Sequence, residues 1–162
     1  MRIILINATG GHALSRDPSM PRCFDIESKA PYVWPPMGML YIATKLSESH
    51  EVWLLDEQIG MKRSDIVKSC MDADLAVINT GRSSIESDLY MCNRIKANGT
   101  KTVLIGSYAT YHHKELIRND SVDFIVRGEP EISCFELCAR LVSGMDPGSV
   151  MGVTWKEGRK VH

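Results

Sequence analysis

Four short stretches of this 162-residue chain gather the residue types that can grip a polar ligand. They are Asn7 to His12, Thr80 to Ser84, Gly106 to Thr110 and Arg127 to Glu131. They are rich in hydroxyls, glycines and backbone donors at helix starts, but poor in paired carboxylates and nucleophiles. That chemistry suits holding a large ligand more than attacking a substrate.

The other reactive residue types give weaker signals. Asp56 closes a strand, as the phospho-accepting aspartate of a receiver domain does. It follows the second strand rather than the third, however, and no acidic pair follows the first strand. His12 reads as a solvated loop residue. His112 and His113 read as an exposed helix start, because neighbouring helical residues point in different directions. The five cysteines are Cys23, Cys70, Cys92, Cys134 and Cys138. Their odd number and the absence of an export signal argue for free thiols. Cys134 and Cys138 share a helix face with no complementary ligand pair, which suits small core residues better than a metal site. The Gly-x-Gly-x-x-Gly fingerprint is missing, so a nicotinamide cofactor is not expected.

Positioning such loops is the work of an alternating strand and helix pattern. Strands are expected at Arg2 to Asn7, Glu51 to Leu55, Leu75 to Ile78, Lys101 to Ile105 and Val122 to Val126. Helices are expected from Pro36 to about Ser49, around Arg63 to Met71, from Ile85 to Asn98, from about His113 to Arg118, and from Glu131 to Val142. Their apolar stripes are Met39, Ile42, Ala43 and Leu46 in the first helix, and Ile132, Phe135, Ala139 and Val142 in the last. Val103, Leu104 and Ile105 form an apolar run without alternation, as a strand buried on both faces does. The pattern predicts an α/β, doubly wound, five-stranded parallel sheet in the order 2-1-3-4-5, of the Rossmann-like or flavodoxin-like type. Val150 to Val161 then reads as a C-terminal β-hairpin closed at Gly158. Residues 1–148 form the main domain and residues 149–162 the hairpin. In such sheets ligands bind beyond the carboxyl ends of the strands, where the four stretches fall. Residues 8–36, rich in glycine and proline, make a loop long enough to suggest a functional role.

The length fits one domain. A formal net charge of −1 gives no basic field for nucleic acid or anionic lipid. No apolar run approaches the roughly 18 residues of a membrane span, and the first residues form a strand rather than a signal peptide. The expectation is a cytoplasmic protein.

Several segments then resemble one family. PPMGMLYIATKLSESHEVWLLD, residues 35–56, resembles the Pro-Pro-x-Gly segment, with its following His-Glu-Val and Asp, of the cobalamin-binding domain that precedes many radical S-adenosylmethionine enzymes. VLIGSYATYHHKEL, VDFIVRGEPEISCFEL and GVTWKEGRKV are similar to later segments of the same domain, in the same order. The resemblance implies a corrinoid across the carboxyl ends of the strands, with its nucleotide tail reaching toward Gly106. It implies cofactor-binding roles for Asn7, Thr9, Gly10, Gly11, Pro36 and Gly38. The same is implied for Thr80, Gly81, Arg82, Ser83 and Ser84, for Gly106, Ser107, Tyr108, Ala109 and Thr110, and for Arg127, Gly128 and Glu129. Ser107 and Tyr108 stand where the family has Gly and His. The Asp-x-His-x-x-Gly signature does not follow the first strand, so no histidine is expected on cobalt and no protein metal ligand is assigned. The Cys-x3-Cys-x2-Cys triplet of a [4Fe–4S] cluster is also missing. The expectation is the amino-terminal piece of a longer methyltransferase or cyclase, whose radical barrel would use S-adenosylmethionine and the cluster. The alternative is the same fold without corrinoid, acting as a docking or substrate-presenting module.

Overall fold

The computed structural model describes residues 1–8, 35–158 and 160–162. Five parallel strands are β1 (Arg2–Asn7), β2 (Glu51–Asp56), β3 (Leu75–Asn79), β4 (Lys101–Ile105) and β5 (Phe124–Val126). They lie in the order β2-β1-β3-β4-β5, as the strand and helix pattern requires. The registers Ile3↔Val52, Ile3↔Leu75, Leu75↔Lys101 and Val103↔Phe124 bring their carboxyl ends to one rim.

The hairpin belongs to the sheet. Strands β6 (Val153–Glu157) and β7 (Lys160–Val161) extend it to seven strands, with Ile125↔Thr154 and Lys156↔Val161 paired antiparallel. The physical reason is the open edge of β5, whose unpaired main-chain groups β6 satisfies.

Helices α1 (Met37–Leu46) and α6 (Pro130–Val142) cover one face, and α2 (Arg63–Ser69), α3 (Ile85–Lys96), α4 (Ser107–Tyr111) and α5 (His113–Leu116) the other. Alternate residues of a strand point to opposite faces. Thus Ile3, Leu5, Val77, Val103 and Ile105 pack with Met39, Ile42, Leu46 and Leu137. Ile4, Ile6, Ile78 and Leu104 pack with Ile66, Met91, Ile95 and Ile117. Both faces are buried, which is why the strands read as unbroken apolar runs.

Several sequence expectations shift. Helix α1 ends at Leu46 rather than near Ser49, β5 begins at Phe124, and a helix starts at Ser107, directly after Gly106. The inward stripe of α6 is Cys134, Leu137, Cys138 and Leu141, while Ile132, Ala139 and Val142 are exposed. Counting Cys as a small hydrophobe restores the i, i+3, i+4, i+7 spacing. His113 is half-buried rather than exposed, with Nδ1 3.0 Å from Thr154 Oγ1 of β6.

Candidate functional site

A cleft of about 620 Å³ opens at the carboxyl rim on the α1 and α6 face. Its floor is apolar, from Met39 and Ile42 of α1 and Ile105 of β4, and Gly38 lies above them. Asn79, Gly106, Ser107 and Thr110 line one part of it, and the adjoining Gly128 to Glu131 another. The volume is within the range of ligand pockets, roughly 300–1,000 Å³. Exposed Tyr111 stands at its mouth.

Gly106 is where the local backbone decides the geometry. Its φ of 105° and ψ of 172° lie in a region essentially restricted to glycine. A Cβ there would lie 2.6 Å from both Asn79 Oδ1 and the Thr80 carbonyl oxygen. The glycine therefore lets the β4 turn sit against the β3 turn, and the Thr80 N–H donates to the Ile105 carbonyl at 2.9 Å. Thr110, one turn into α4, ties the Gly106 turn to the adjoining Gly128 turn. Its hydroxyl donates to the Gly106 carbonyl and accepts from the Gly128 N–H, both at 3.0 Å. Gly128, at φ 73°, then turns the chain into Pro130 at the start of α6.

Polar side chains at the rim differ in how far the protein satisfies them. The Ser107 hydroxyl is buried in the cleft wall with no hydrogen-bond partner among the described residues. Thr80 is fully buried and its hydroxyl is likewise unpartnered. Asn7 is engaged elsewhere: its Nδ2 donates to Asp56 Oδ1 at 3.1 Å, and the same oxygen accepts from the Gln58 N–H at 2.9 Å. Asp56 thereby caps the turn at Glu57–Ile59, which gives it a structural role. Arg127 is turned to the hairpin, its main-chain N–H and Nε both donating to the Gly152 carbonyl.

Of the residues assigned from the sequence, Gly38, Gly106, Ser107, Thr110, Gly128 and Glu129 share the cleft. Gly81 and Ser84 are buried in the β3 turn, and Arg82 and Ser83 are exposed beside them. Tyr108 packs on the α3-side core and stacks on His112 at 4.2 Å, while Ala109 is buried. Pro36 starts α1, its carbonyl accepting from the Leu40 N–H. Thr9, Gly10, Gly11 and His12 lie outside the described residues. Sequence reasoning did not assign Met39, Ile42, Asn79, Ile105 and Tyr111 to the site. The first two carried a signal, since their stripe packs against the sheet below a helix start that opens on the rim.

Among the described residues no group of three His, Cys, Asp or Glu side chains converges on one point. Cys70, Cys92, Cys134 and Cys138 are free and buried. Burial pushes Cys70 and Cys138 up to about 12 and raises Cys92 and Cys134 as well, so all four stay protonated thiols. No described helix is long and apolar enough to cross a membrane.

No family model matches the chain. Its sequence is 29% identical over 134 residues to an uncharacterized methyltransferase of Pyrococcus horikoshii, covering 79% of this chain and 29% of that protein. It is also 29% identical over 136 residues to the anaerobic magnesium-protoporphyrin IX monomethyl ester cyclase of a Synechocystis species, covering 78% and 27%. The chain thus spans under a third of the length of these relatives. Its fold matches OxsB, a cobalamin-dependent S-adenosylmethionine radical enzyme solved with aqua-cobalamin and S-adenosylmethionine, at a TM-score of 0.78 and 16% identity. It also matches the radical S-adenosylmethionine methyltransferase TsrM of Kitasatospora setae, solved with cobalamin and a [4Fe–4S] cluster, at 0.72 and 14%. Each match covers 99% of this chain, but 21% of OxsB and 30% of TsrM. The resemblance read from the motifs therefore stands, in sequence along most of the chain and in fold along nearly all of it.

Proposed function

We propose that the chain is the cobalamin-binding domain of a radical S-adenosylmethionine enzyme of the methyltransferase or cyclase type. The observation that carries this is the rim cleft, whose Ser107 hydroxyl has no partner among the described residues, set in a fold shared with two enzymes solved with cobalamin. A buried hydroxyl without a partner costs free energy on folding, and a polar ligand group entering the cleft would recover it.

The residues present fit such a ligand. Gly38 and Gly106 put no side chain into the cleft, and Met39, Ile42 and Ile105 give an apolar bed for a planar base. Ser107 offers a hydroxyl, and Gly128 to Glu131 complete the lining. Thr110 keeps the Gly106 and Gly128 turns at a fixed separation. When bound, the corrinoid supplies the cobalt chemistry, and the domain supplies binding, orientation and exclusion of water. In the whole protein, S-adenosylmethionine and an iron–sulfur cluster would belong to a radical barrel beyond residues 149–162. The curated relatives favour methyltransferase or cyclase chemistry there. Buried, protonated thiols in all four described cysteines suit a reducing, cytoplasmic setting.

Hydroxocobalamin added to the purified protein tests the reading. The expected result is co-elution on gel filtration at equimolar ratio, with a changed visible spectrum. A colourless protein peak would sink it and support the second reading, a docking or substrate-presenting module.

A further inference from the structure

Asp88 is a fully buried acid on α3 that the cleft does not touch. Burying a carboxylate is costly unless it is hydrogen-bonded. Its Oδ2 accepts from the Ser84 hydroxyl at 2.7 Å, one helical turn earlier. A serine hydroxyl has one proton, so giving it to Asp88 leaves its lone pairs to accept. They accept from the Gly81 N–H at 3.0 Å. The alternative, donation to the Gly81 carbonyl, has a longer 3.4 Å separation. Gly81 follows Thr80, whose carbonyl abuts Gly106 and whose N–H holds the Ile105 carbonyl. An unbroken chain of contacts thus runs from α3 to the wall of the cleft.

We infer that Asp88 is a positioning residue: by fixing the direction of the Ser84 hydroxyl it sets the β3 turn, and through that turn the Asn79 and Gly106 wall of the corrinoid cleft. The inference rests on the corrinoid reading. Arg63 supports the same network from α2. It donates to both Glu57 carboxylate oxygens and to the Ser87 hydroxyl, and hydrogen bonding to Glu57, with Asp88 nearby, raises its pKa.

The test is a double-mutant cycle of D88N and S84A in the purified protein, read by hydroxocobalamin titration and by hydrogen exchange at the Gly81 amide. Wild-type protein is expected to bind. D88N should weaken binding about tenfold and speed Gly81 exchange, and should add nothing once Ser84 is Ala. Unchanged affinity in D88N, or an equal effect with and without Ser84, would overturn the relay while leaving the corrinoid reading intact. Failure of the wild-type protein to bind would remove both. Melting temperatures of the variants separate a repositioned turn from a loosened core, because core loosening would not vanish in the Ser84→Ala background.

Discussion

Two clefts of similar size lie at opposite ends of the sheet, and they differ in what their polar groups are doing. The second, about 530 Å³, is lined by Lys101, Asp123, Phe124, Met145, Asp146, Trp155 and His162. Most of its polar and aromatic groups are committed within the protein, although His162 Nε2 is buried without a hydrogen-bond partner among the described residues. Asp123 accepts from Lys96 Nζ at 2.7 Å and from the Thr102 N–H at 2.9 Å. Asp146 caps the Gly148 N–H, Lys156 holds the Asn119 carbonyl and Asp120, and Trp155 stacks on His162 at 4.7 Å. At the rim cleft the Ser107 hydroxyl has no partner among the described residues, and the Gly106 backbone is held in a conformation few residues adopt. Volume alone does not distinguish the two. An unspent polar atom does not either, since each cleft has one; the glycine-only backbone of Gly106 beside the Ser107 hydroxyl does.

The largest effect is expected from Gly106→Ala. The new methyl meets Asn79 and the Thr80 carbonyl in a backbone conformation reserved for glycine. It should cost on the order of 3 kcal/mol and lower Tm by roughly 6–12 °C, with loss of corrinoid binding. A differential scanning calorimetry trace matching the parent would show that the two turns are not held together as described. Thr110→Val keeps the shape but removes both bonds tying the Gly106 and Gly128 turns. At about 1 kcal/mol each, Tm should fall roughly 4–8 °C and cobalamin affinity with it. Intact affinity would mean that the two turns need no tie.

Ser107→Ala separates a hydroxyl awaiting a ligand from one that merely sits in a wall. Tm should stay within about 2 °C of the parent, because no protein bond is lost, while corrinoid affinity drops several-fold. Equal affinity would remove Ser107 from the site. The smallest effect concerns the hairpin that lines the second cleft. Burial lowers the His113 pKa below 6.5, helped by the positive charges of Arg127 and Lys114. The folded protein thus binds fewer protons there than the unfolded chain. The stability this contributes is complete above about pH 6.5 and declines as pH falls toward the lowered folded value. In His113→Gln the slope of stability against pH between about 5 and 7 should be shallower in urea titrations. An unchanged slope would place the titration elsewhere.

Much of this fold was legible because burial on both faces leaves a plain mark on a strand. Val103 to Ile105 cannot alternate when each side packs against helices, and Leu75 to Ile78 behave alike. The α6 face was misread because its inward stripe is built on Cys134 and Cys138, which weigh less than Ile132 and Val142 in a hydrophobic pattern. The role of His113 was hidden because Thr154 lies 41 residues away in sequence. In the site, the glycines and hydroxyls of the rim turns were legible as types. Asn79, Met39 and Ile42 were not assigned, since their part depends on which face of the sheet the cleft opens.

By itself the sequence determined the parallel order of the first five strands, the rim at which their turns gather, and the family those turns resemble. It could do so because hydrophobic period and turn chemistry are local properties of the chain. Tertiary structure alone decided that the hairpin extends the sheet, that Gly106 is needed by the neighbouring turn, and that the Ser107 and Thr80 hydroxyls find no partner among the described residues. Those outcomes depend on atoms far apart in the chain meeting within a few ångströms, and no spacing of residues encodes which hydroxyl is left over.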